Sequence, residues 1–364
     1  MLPNKNIQKL VPYTPISHDV WNLKTYDDIL KLDWNEAAIN PSPQVFKRIY
    51  EFLNQGKLNW YPNTQNITLL KVLSLYTNQD SEDYIQIFPS SDAAHENIID
   101  VFLEKDSKVC IIAPTYDNFR ARANGVGVKT IYFNLEEDFN LNFDKLNDFL
   151  KHNKIDFLYI CNPNNPTGIC YDIEKMEQLI IGNSSTMFLV DEAYYEFSQK
   201  TVQNLVKFHK NLIITRTFSK AFALASFRIG YVISHVENIA YMNKLRNSKN
   251  ISMLAQVAAL GALEDIDYTK QFVKEVNTSR EFFKKGVENL GLKTYGQSEA
   301  NFILLKMKNM DEIFNYLKEN KIFIRNYNHI IPEHCRITIG TMEQMKYLLD
   351  CLKEFYERKN ICTF

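Results

Sequence analysis

The chain has 364 residues and a formal net charge of −1 at pH 7, which is enough length for two domains and a large core. A charge so close to zero argues against binding to nucleic acid or to an anionic membrane surface. No apolar run has the length of a bilayer-spanning helix, the N-terminus lacks the apolar core of a signal peptide, and the six cysteines are scattered without a C-x-x-C pair. We therefore predict a soluble cytoplasmic protein with reduced cysteines and no metal site.

The first two thirds of the chain alternate between strand and helix patterns. Residues 1–40 have no clear pattern, and helical spacing of apolar residues follows at 43–54 and 67–76. Predicted strands then cover residues 84–88, 108–113, 130–133, 157–161, 187–190 and a run that ends near residue 215. Strands that alternate with helices predict an α/β fold with a mostly parallel central sheet covered by helices.

The pattern changes after Tyr231. Helical spacing predicts helices at residues 252–263, 268–289, 310–320 and 343–359, and apolar runs predict strands at 301–306, 322–325 and 335–339. These elements form a smaller α+β unit. We predict a large cofactor-binding domain over residues 42–247 and a small domain formed by residues 1–41 and 248–364.

Polar residues follow most of the predicted strands of the larger unit. In a parallel sheet, ligands bind outside the carboxyl ends of the strands, so these side chains are expected to converge. They are Ser91, Asp92, Tyr116, Asn165, Asp191, Tyr194, Ser219 and Lys220.

Lys220 carries the most informative chemistry. It leaves the sheet into a loop flanked by apolar residues, with Arg216 and Arg228 close in sequence. Poor solvation and nearby positive charge favour the neutral amine, the form that attacks a carbonyl to give a Schiff base. Ser219 and Arg228 could hold a phosphate. The stretch therefore suggests a phosphorylated cofactor with a carbonyl group, namely pyridoxal phosphate (PLP), although by itself it also fits a solvated surface lysine.

The other polar residues match the remaining groups of PLP. Ser91 and the amides after it begin a predicted helix and could bind the phosphate, and Asp191 could face the ring nitrogen. Asn165 and Tyr194 could donate to the phenolate oxygen, and Tyr116 could stack on the ring. Each also has a purely structural interpretation, as a helix cap, a turn residue or a core residue.

Several motifs together resemble the fold-type I aminotransferases, and most of all the histidinol-phosphate aminotransferase group. They are N-P-N-N-P-T-G, D-E-A-Y, T-F-S-K-A-F-A-L-A-S-F-R-I-G-Y, N-F-I-L and R-I-T-I-G-T, in the same order along the chain. The resemblance implies that Lys220 is the Schiff-base lysine and proton carrier, with Asp191 at the ring nitrogen. It also implies cofactor contacts from Ser91, Asp92, Ser219 and Arg228 at the phosphate, Asn165 and Tyr194 at the phenolate oxygen, and Tyr116 over the ring.

The resemblance extends to the subunits and the substrate. Tyr61, in W-Y-P-N, matches a tyrosine that in this family reaches the cofactor phosphate of the neighbouring subunit, which implies a homodimer. Arg336, in C-R-I-T-I-G-T, matches the arginine that holds the substrate carboxylate. Arg325 lies where the group often has another basic residue near the substrate.

The sequence departs from the group at Ser90, Ala223 and Ser226, where glycine is usual, and at residues 35–38. The substrate is therefore less well defined than the cofactor. We expect a glutamate-dependent aminotransferase acting on a small phosphorylated keto compound, imidazole acetol phosphate being the usual one in the group. The alternatives are another ketone such as dihydroxyacetone phosphate, decarboxylation of a phosphorylated amino acid, and a binding module without catalysis.

Overall fold

The computed structural model describes residues 2–13, 19–25 and 28–359. Its strands are β1 (Leu30–Leu32), β2 (Ile85–Phe88), β3 (Lys108–Ala113), β4 (Lys129–Asn134), β5 (Phe157–Cys161), β6 (Met187–Asp191), β7 (Leu212–Thr217), β8 (Gly230–Ser234), β9 (Lys293–Thr294), β10 (Phe302–Lys306), β11 (Ile322–Asn326) and β12 (His334–Thr338).

The α-helices in the same ranges are α1 (Lys5–Gln8), α2 (Pro43–Asn54), α3 (Ile67–Tyr76), α4 (Ser91–Phe102), α5 (Asn118–Gly125), α6 (Phe143–Asn153), α7 (Ile173–Gly182), α8 (Tyr195–Ser198), α9 (Val236–Leu245), α10 (Met253–Glu264), α11 (Ile266–Asn289), α12 (Met310–Glu319) and α13 (Met342–Lys359). None of the helices in the described part of the chain combines the length and the hydropathy that a bilayer crossing requires.

The larger sheet has the strand order β2-β8-β7-β6-β5-β3-β4. Strands β3 to β7 pair in parallel, whereas β8 is antiparallel to both of its neighbours. The mostly parallel α/β sheet predicted from the sequence is therefore confirmed, and each predicted strand is present with small shifts at its ends. The sequence analysis did not identify β8.

Helices cover both faces of this sheet, which explains why its strands are mostly apolar. In β5, Leu158 and Ile160 pack on the side of α2, α3, α6, α7 and α10. The alternate residues Phe157 and Tyr159 pack on the side of α4, α5 and α9. The candidate site residues lie at or just beyond the ends of these strands.

The smaller sheet has the order β1-β11-β12-β10-β9 and packs against α11, α12 and α13. Strand β1 pairs in parallel with β11, so the expectation that residues 1–40 are irregular is wrong at this point. A strand of three residues is too short to show a period in the sequence. The domain limits remain a prediction, and the packing of α10 in the core of the larger sheet favours a boundary after α10.

The turn between β2 and α4 contains a strained residue. Ser90 has φ +90° and ψ 164°, a combination that is essentially restricted to glycine. Ala223 also has a positive φ, of 59°. These are two of the positions where the related group has glycine. Packing restrains the turn, because a Cβ on Gly230 at the start of β8 would lie 2.7 Å from the backbone nitrogen of Ser91.

We predict that Ser90→Gly stabilises the protein. Removing the Cβ relieves backbone strain of about 1 kcal/mol or more, and loss of the Ser90 side-chain cap on α4 costs only a few tenths of a kcal/mol. Ser252 is a matched control, since it caps α10 in the same way at an ordinary φ of −64°. Urea unfolding should show a higher midpoint for Ser90→Gly and a slightly lower one for Ser252→Gly. A lower midpoint for both variants would show that Ser90 is not strained.

Candidate functional site

A cavity of about 520 Å³ opens where the carboxyl ends of the larger sheet meet the smaller sheet. All of the predicted site residues except Tyr61 line it. The lining is Tyr13, Trp21, Asp33, Trp34, Asn35, Glu36, Ser90, Ser91, Asp92, Tyr116, Cys161, Asn165, Asp191, Ala193, Tyr194, Thr217, Ser219, Lys220, Ala225, Ser226, Arg228, Arg325, Tyr327 and Arg336.

The amine of Lys220 is held inside this cavity. Its Nζ donates to the backbone oxygen of Trp34 at 3.0 Å. Burial lowers the pKa of Lys220 from 10.5 to about 8, and the charges of Arg336 and, less strongly, Arg228 act in the same direction. A much larger fraction of the amine is therefore neutral at pH 7–8 than for an ordinary lysine, which suits attack on a carbonyl.

Arg216, one of the two arginines expected to favour the neutral amine of Lys220, has a structural role instead. Arg216 is fully buried and forms an ion pair with Glu192, with 2.7 Å between Nη2 and Oε2, and it does not line the cavity. The stronger influence comes from Arg336 on β12, more than a hundred residues later in the chain. Proximity in sequence was a poor guide here because successive strand residues point to opposite faces of a sheet.

Asp191 ends β6 and is buried at the base of the cavity. Its Oδ2 accepts a hydrogen bond of 2.9 Å from the Tyr159 hydroxyl and lies 3.7 Å from Nε2 of His95. His95 is itself placed by Thr215, 2.9 Å away. Burial raises the pKa of Asp191, and His95 and Tyr159 only partly oppose this effect. A cationic group in the cavity would restore the charged carboxylate.

The first turn of α4 forms the part of the cavity suited to a phosphate. Ser90 and Ser91 bring the free amides of the helix N-terminus to its edge. Nearby, Nη1 of Arg228 lies 3.4 Å from Oγ of Ser219. Asp92 binds Arg228 at 3.7 Å. Its carboxylate cannot donate to a phosphate, so its side chain positions neighbouring groups.

Tyr116 and Tyr13 form one side wall of the cavity. The Tyr116 hydroxyl donates to Oδ1 of Asp92 at 3.1 Å, and the Tyr13 ring packs edge-on against Tyr116 with centroids 5.6 Å apart. The segment before Tyr13 is anchored by Arg120, which donates to the backbone oxygen of Val11 at 3.0 Å.

Asn165 and Tyr194 lie together, as expected from the carboxyl ends of β5 and β6. Nδ2 of Asn165 lies 3.4 Å from the Tyr194 hydroxyl, and Asn35 donates to the same hydroxyl at 2.9 Å. Because both amides donate to this oxygen, the hydroxyl proton is available to another acceptor. Burial raises the pKa of Tyr194, so it remains a donor at neutral pH.

Arg325 and Arg336 face each other in register on β11 and β12. Arg336 donates to Oδ1 of Asn165 at 2.8 Å and to the backbone oxygen of Asp33 at 2.6 Å, and its buried Nε makes no hydrogen bond within the described residues. Neither arginine forms an ion pair with a carboxylate of the described residues. Burial lowers the pKa of Arg325. The pair is suited to bind an anion.

Tyr61 is placed outside the cavity. Its side chain is 79% exposed, on the segment between α2 and α3, and its ring lies 4.9 Å from Nζ of Lys249. Within one subunit it cannot contact a ligand in the cavity. Its predicted contact with the cofactor of a second subunit stays a prediction.

Sequence reasoning missed several cavity residues and supporting residues. They are Tyr13, Trp34, Asn35, His95, Tyr159 and Tyr327. His95 and Tyr159 lie inside a helix and a strand where only packing was expected, and Tyr13 lies in the segment that showed no pattern. The one usable signal was Asn35, which begins the N-E-A-A stretch at residues 35–38 where the sequence departs from the related group.

These residues fit PLP. Among the described residues no Lys or Arg pairs with the buried carboxylate of Asp191, the first turn of α4 and Arg228 can bind a phosphate, and the amine of Lys220 lies in the same cavity. The fold and the cavity therefore define a PLP-dependent transferase of fold type I. The model of the aminotransferase class I and II family matches residues 27–352, and the chain belongs to this family. It is a PLP-dependent aminotransferase.

Three comparisons with known proteins illustrate the relationship. The chain is 53% identical over 362 residues to the dihydroxyacetone phosphate transaminase of Campylobacter jejuni subsp. jejuni serotype O:2, covering 99% of this chain and 98% of the relative. It is 35% identical to the histidinol-phosphate aminotransferase of Ruminiclostridium cellulolyticum, covering 96% of each. The histidinol-phosphate aminotransferase of Sinorhizobium meliloti, solved with pyridoxal 5'-phosphate, superposes with a TM-score of 0.87 at 24% identity, covering 96% of each chain.

Asp191→Asn should retain PLP but lose most activity. The amide cannot supply the negative charge that keeps the ring nitrogen protonated, and the loss of a charged hydrogen bond of about 2–3 kcal/mol corresponds to a fall of about 30–150-fold in kcat. Tyr159→Phe is the control, because it removes one donor to Asp191 but leaves the carboxylate, and it should cost less than about tenfold. Equal activity of Asp191→Asn and wild type, at equal cofactor content by absorbance, would contradict the role of Asp191.

Uptake of PLP by the cofactor-free enzyme should report the pKa of Lys220. Only the neutral amine reacts, so the rate should rise about tenfold per pH unit below pH 8 and level off above it. Arg336→Gln removes a positive charge that lowers this pKa, so its plateau should begin at higher pH. Stopped-flow absorbance measures both profiles. A wild-type rate that still rises tenfold per unit between pH 9 and 10 would show an ordinary lysine.

Proposed function

We propose that the enzyme transfers the amino group of glutamate to a small phosphorylated ketone, with dihydroxyacetone phosphate as the first candidate. The observation that carries this proposal is the pair Arg325 and Arg336, which line the cavity beside Lys220 without a carboxylate partner among the described residues. The Campylobacter jejuni relative, whose name gives dihydroxyacetone phosphate as its substrate, supports the choice of ketone.

The proposed roles of the residues follow from their positions. Bound PLP supplies an electron sink for the carbon that gains or loses the amino group. Lys220 holds the cofactor and, once released, moves the proton at the reacting carbon, a task that its pKa of about 8 suits. Asp191 stays ionised beside the ring nitrogen, and Tyr194 and Asn165 donate to the phenolate oxygen.

The remaining cofactor contacts hold the phosphate. The amides at Ser91 and Asp92, the hydroxyl of Ser219 and the guanidinium of Arg228 surround the start of α4, and a helix N-terminus together with an arginine favours a doubly charged group. We infer that Tyr116 packs against the cofactor ring, because its hydroxyl is tied to Asp92 and its ring is thereby held at the cavity wall.

In this proposal, Arg336 and Arg325 bind the anionic groups of the two substrates. Arg336 is held by Asn165 and the backbone of Asp33, which suits the carboxylate of glutamate in one half-reaction and a contact shared with Arg325 to the ketone's phosphate in the other. Arg325 is less buried than Arg336 and its guanidinium lies 5.8 Å from the Trp34 ring, which suits the phosphate of the ketone. A planar guanidinium binds either anion at two points.

Separate measurement of the two half-reactions tests the function. Glutamate alone should convert the loaded enzyme to its aminated form, seen by cofactor absorbance and by release of 2-oxoglutarate, and dihydroxyacetone phosphate should reverse the absorbance change. Arg336→Lys should slow both half-reactions by about 10–150-fold, the equivalent of 1.5–3 kcal/mol. Arg325→Lys should affect the ketone more than glutamate.

Two outcomes would reject this function. If glutamate leaves the cofactor spectrum unchanged and a phosphorylated amino acid releases carbon dioxide, the enzyme is a decarboxylase. If both arginine variants have equally small effects on both substrates, the anions bind elsewhere.

We further propose that the enzyme is a cytoplasmic homodimer with shared active sites. The described cysteines form no disulfide, as is usual in the cytoplasm. Helix α2 and the segment from it to Tyr61 carry other exposed apolar side chains, which favour a protein interface. They are Phe46, Tyr50, Leu53, Leu58 and Trp60.

Mixing two inactive variants tests the shared site. Lys220→Ala removes the reactive amine and Tyr61→Phe removes the hydroxyl expected at the partner's cofactor phosphate. A heterodimer contains one site in which Lys220 and Tyr61 are both intact, and equal mixing makes half of the dimers heterodimers, so activity should return towards about one quarter of wild type. Tyr61→Phe must first be shown to be impaired on its own. No recovery after demonstrated subunit exchange would exclude a shared site.

A further inference from the structure

The hydroxyl of Tyr327 joins Asn165 and Arg336 in a closed triangle of hydrogen bonds. Nη1 of Arg336 donates to Oδ1 of Asn165 at 2.8 Å and to the Tyr327 hydroxyl at 3.3 Å. The same hydroxyl donates to Oδ1 of Asn165 at 3.3 Å. Because its oxygen accepts from a guanidinium, which can only donate, its single proton is directed to Asn165. Oδ1 of Asn165 therefore has two donors, one charged and one neutral.

These two donors determine which end of the Asn165 amide faces the rest of the cavity. With Oδ1 turned to Arg336 and Tyr327, Nδ2 lies 3.4 Å from the Tyr194 hydroxyl. Nδ2 carries two hydrogens, so one remains for a ligand. In the proposed function this hydrogen reaches the phenolate oxygen of PLP. The orientation of the amide therefore decides whether Asn165 can stabilise the ionised cofactor.

The hydrogen bond from Arg336 to Asn165 is the contact that substrate binding should weaken. In the proposed function Arg336 binds the carboxylate of glutamate, and a carboxylate is a stronger acceptor than an amide oxygen. A guanidinium that is drawn to this anion holds Oδ1 of Asn165 less tightly. The hydroxyl of Tyr327 carries no charge, so the anion attracts it less and its hydrogen bond to Asn165 is retained.

The backbone fixes Tyr327 directly after β11. Its amide donates to the backbone oxygen of His334 at 2.9 Å, and its own oxygen accepts from the amides of Ile330 and Ile331 at 2.9 and 2.8 Å. Its ring stacks on the His329 ring, with centroids 6.4 Å apart and planes at 22°. The turn between β11 and β12 thus holds this side chain, and its position does not depend on the guanidinium alone.

We propose that Tyr327 is a positioning residue, which keeps the amide of Asn165 directed at the cofactor while the substrate carboxylate engages Arg336. This inference rests on the proposed function and assigns a further residue to it. The amide keeps one donor at Oδ1 when the other is shared with an anion. Rotation of Nδ2 away from the phenolate oxygen would leave the Tyr327 proton without an acceptor, which is costly in a largely buried site.

A double-mutant cycle on the glutamate half-reaction tests whether Tyr327 acts through Asn165. Cofactor absorbance follows the conversion of the PLP-loaded enzyme by glutamate in wild type, Tyr327→Phe, Asn165→Ala and the double variant. Tyr327→Phe should slow the wild-type reaction by about 3–10-fold, the equivalent of one hydrogen bond. In the Asn165→Ala background it should cost less than about twofold, because the amide that it positions is absent.

A spectroscopic titration gives a second readout without turnover. The pH at which the visible absorbance of bound PLP changes is measured with saturating glutarate, an unreactive dicarboxylate of the same length as glutamate. The transition of Tyr327→Phe should lie about 0.4–1 pH unit above that of wild type, because a phenolate without its donor holds a neighbouring proton more strongly. Without glutarate the two transitions should lie closer together, since Arg336 then holds Asn165 in both proteins.

Tyr316→Phe is the control for both measurements. It removes a hydroxyl of the smaller domain that donates to Glu354 and does not line the cavity, so it should match wild type. The role of Tyr327 is overturned, and the proposed function left standing, if Tyr327→Phe leaves the rate unchanged, costs as much in Asn165→Ala as in wild type, or leaves the transition with glutarate unshifted.

Failure of the proposed function has a different signature. If glutamate does not convert the wild-type enzyme, the proposed function is wrong and the titration alone decides the role of Tyr327. A raised transition in Tyr327→Phe then supports the positioning role, and an unshifted transition overturns it as well.

Discussion

The guanidinium of Arg336 connects the parts of the chain that form the cavity. It belongs to the smaller sheet, binds Asn165 at the carboxyl end of the larger sheet and binds the backbone of Asp33. Its charge also lowers the pKa of Lys220. One buried cation thus fixes the relative positions of the two sheets at the site and tunes the reactive amine, so the geometry and the electrostatics of the cavity depend on the same group.

The adjacent residues Asp191 and Glu192 have different surroundings, which fit one to a ligand-binding role and the other to a structural role. Glu192 is fully buried and paired with Arg216 on the side of the sheet away from the cavity, which satisfies a charge that would otherwise be costly. Burial raises the pKa of both carboxyls, but Asp191 is contacted by the Tyr159 hydroxyl, the Ala193 amide and, at 3.7 Å, His95, and by no Lys or Arg side chain among the described residues. The unneutralised carboxylate is the one that can serve a cationic cofactor ring, because its charge becomes favourable only when the ligand is present.

Much of the fold and of the cofactor end of the site could be predicted from local patterns. Alternation of apolar strands with amphipathic helices implies a parallel sheet, and parallel strands bring the residues at their carboxyl ends together. On this basis Ser91, Asn165, Asp191 and Lys220 were predicted to lie close together, and all four line the cavity. Strand β1 was not predicted, since three residues show no period. Tyr61 lies outside the cavity, and its predicted contact involves a second subunit.

The sequence by itself determined the α/β architecture and the cofactor class, and it singled out the lysine proposed to bind the cofactor, because those features depend on short segments and on the edge of one sheet. Only the tertiary structure decided which charges and rings surround that lysine. Arg336 replaced Arg216 as the main positive charge near Lys220, and Trp34 and Tyr13 came into the cavity from an N-terminal segment without pattern. Contacts between residues hundreds of positions apart depend on how the two sheets pack, and no local spacing of residues encodes that packing.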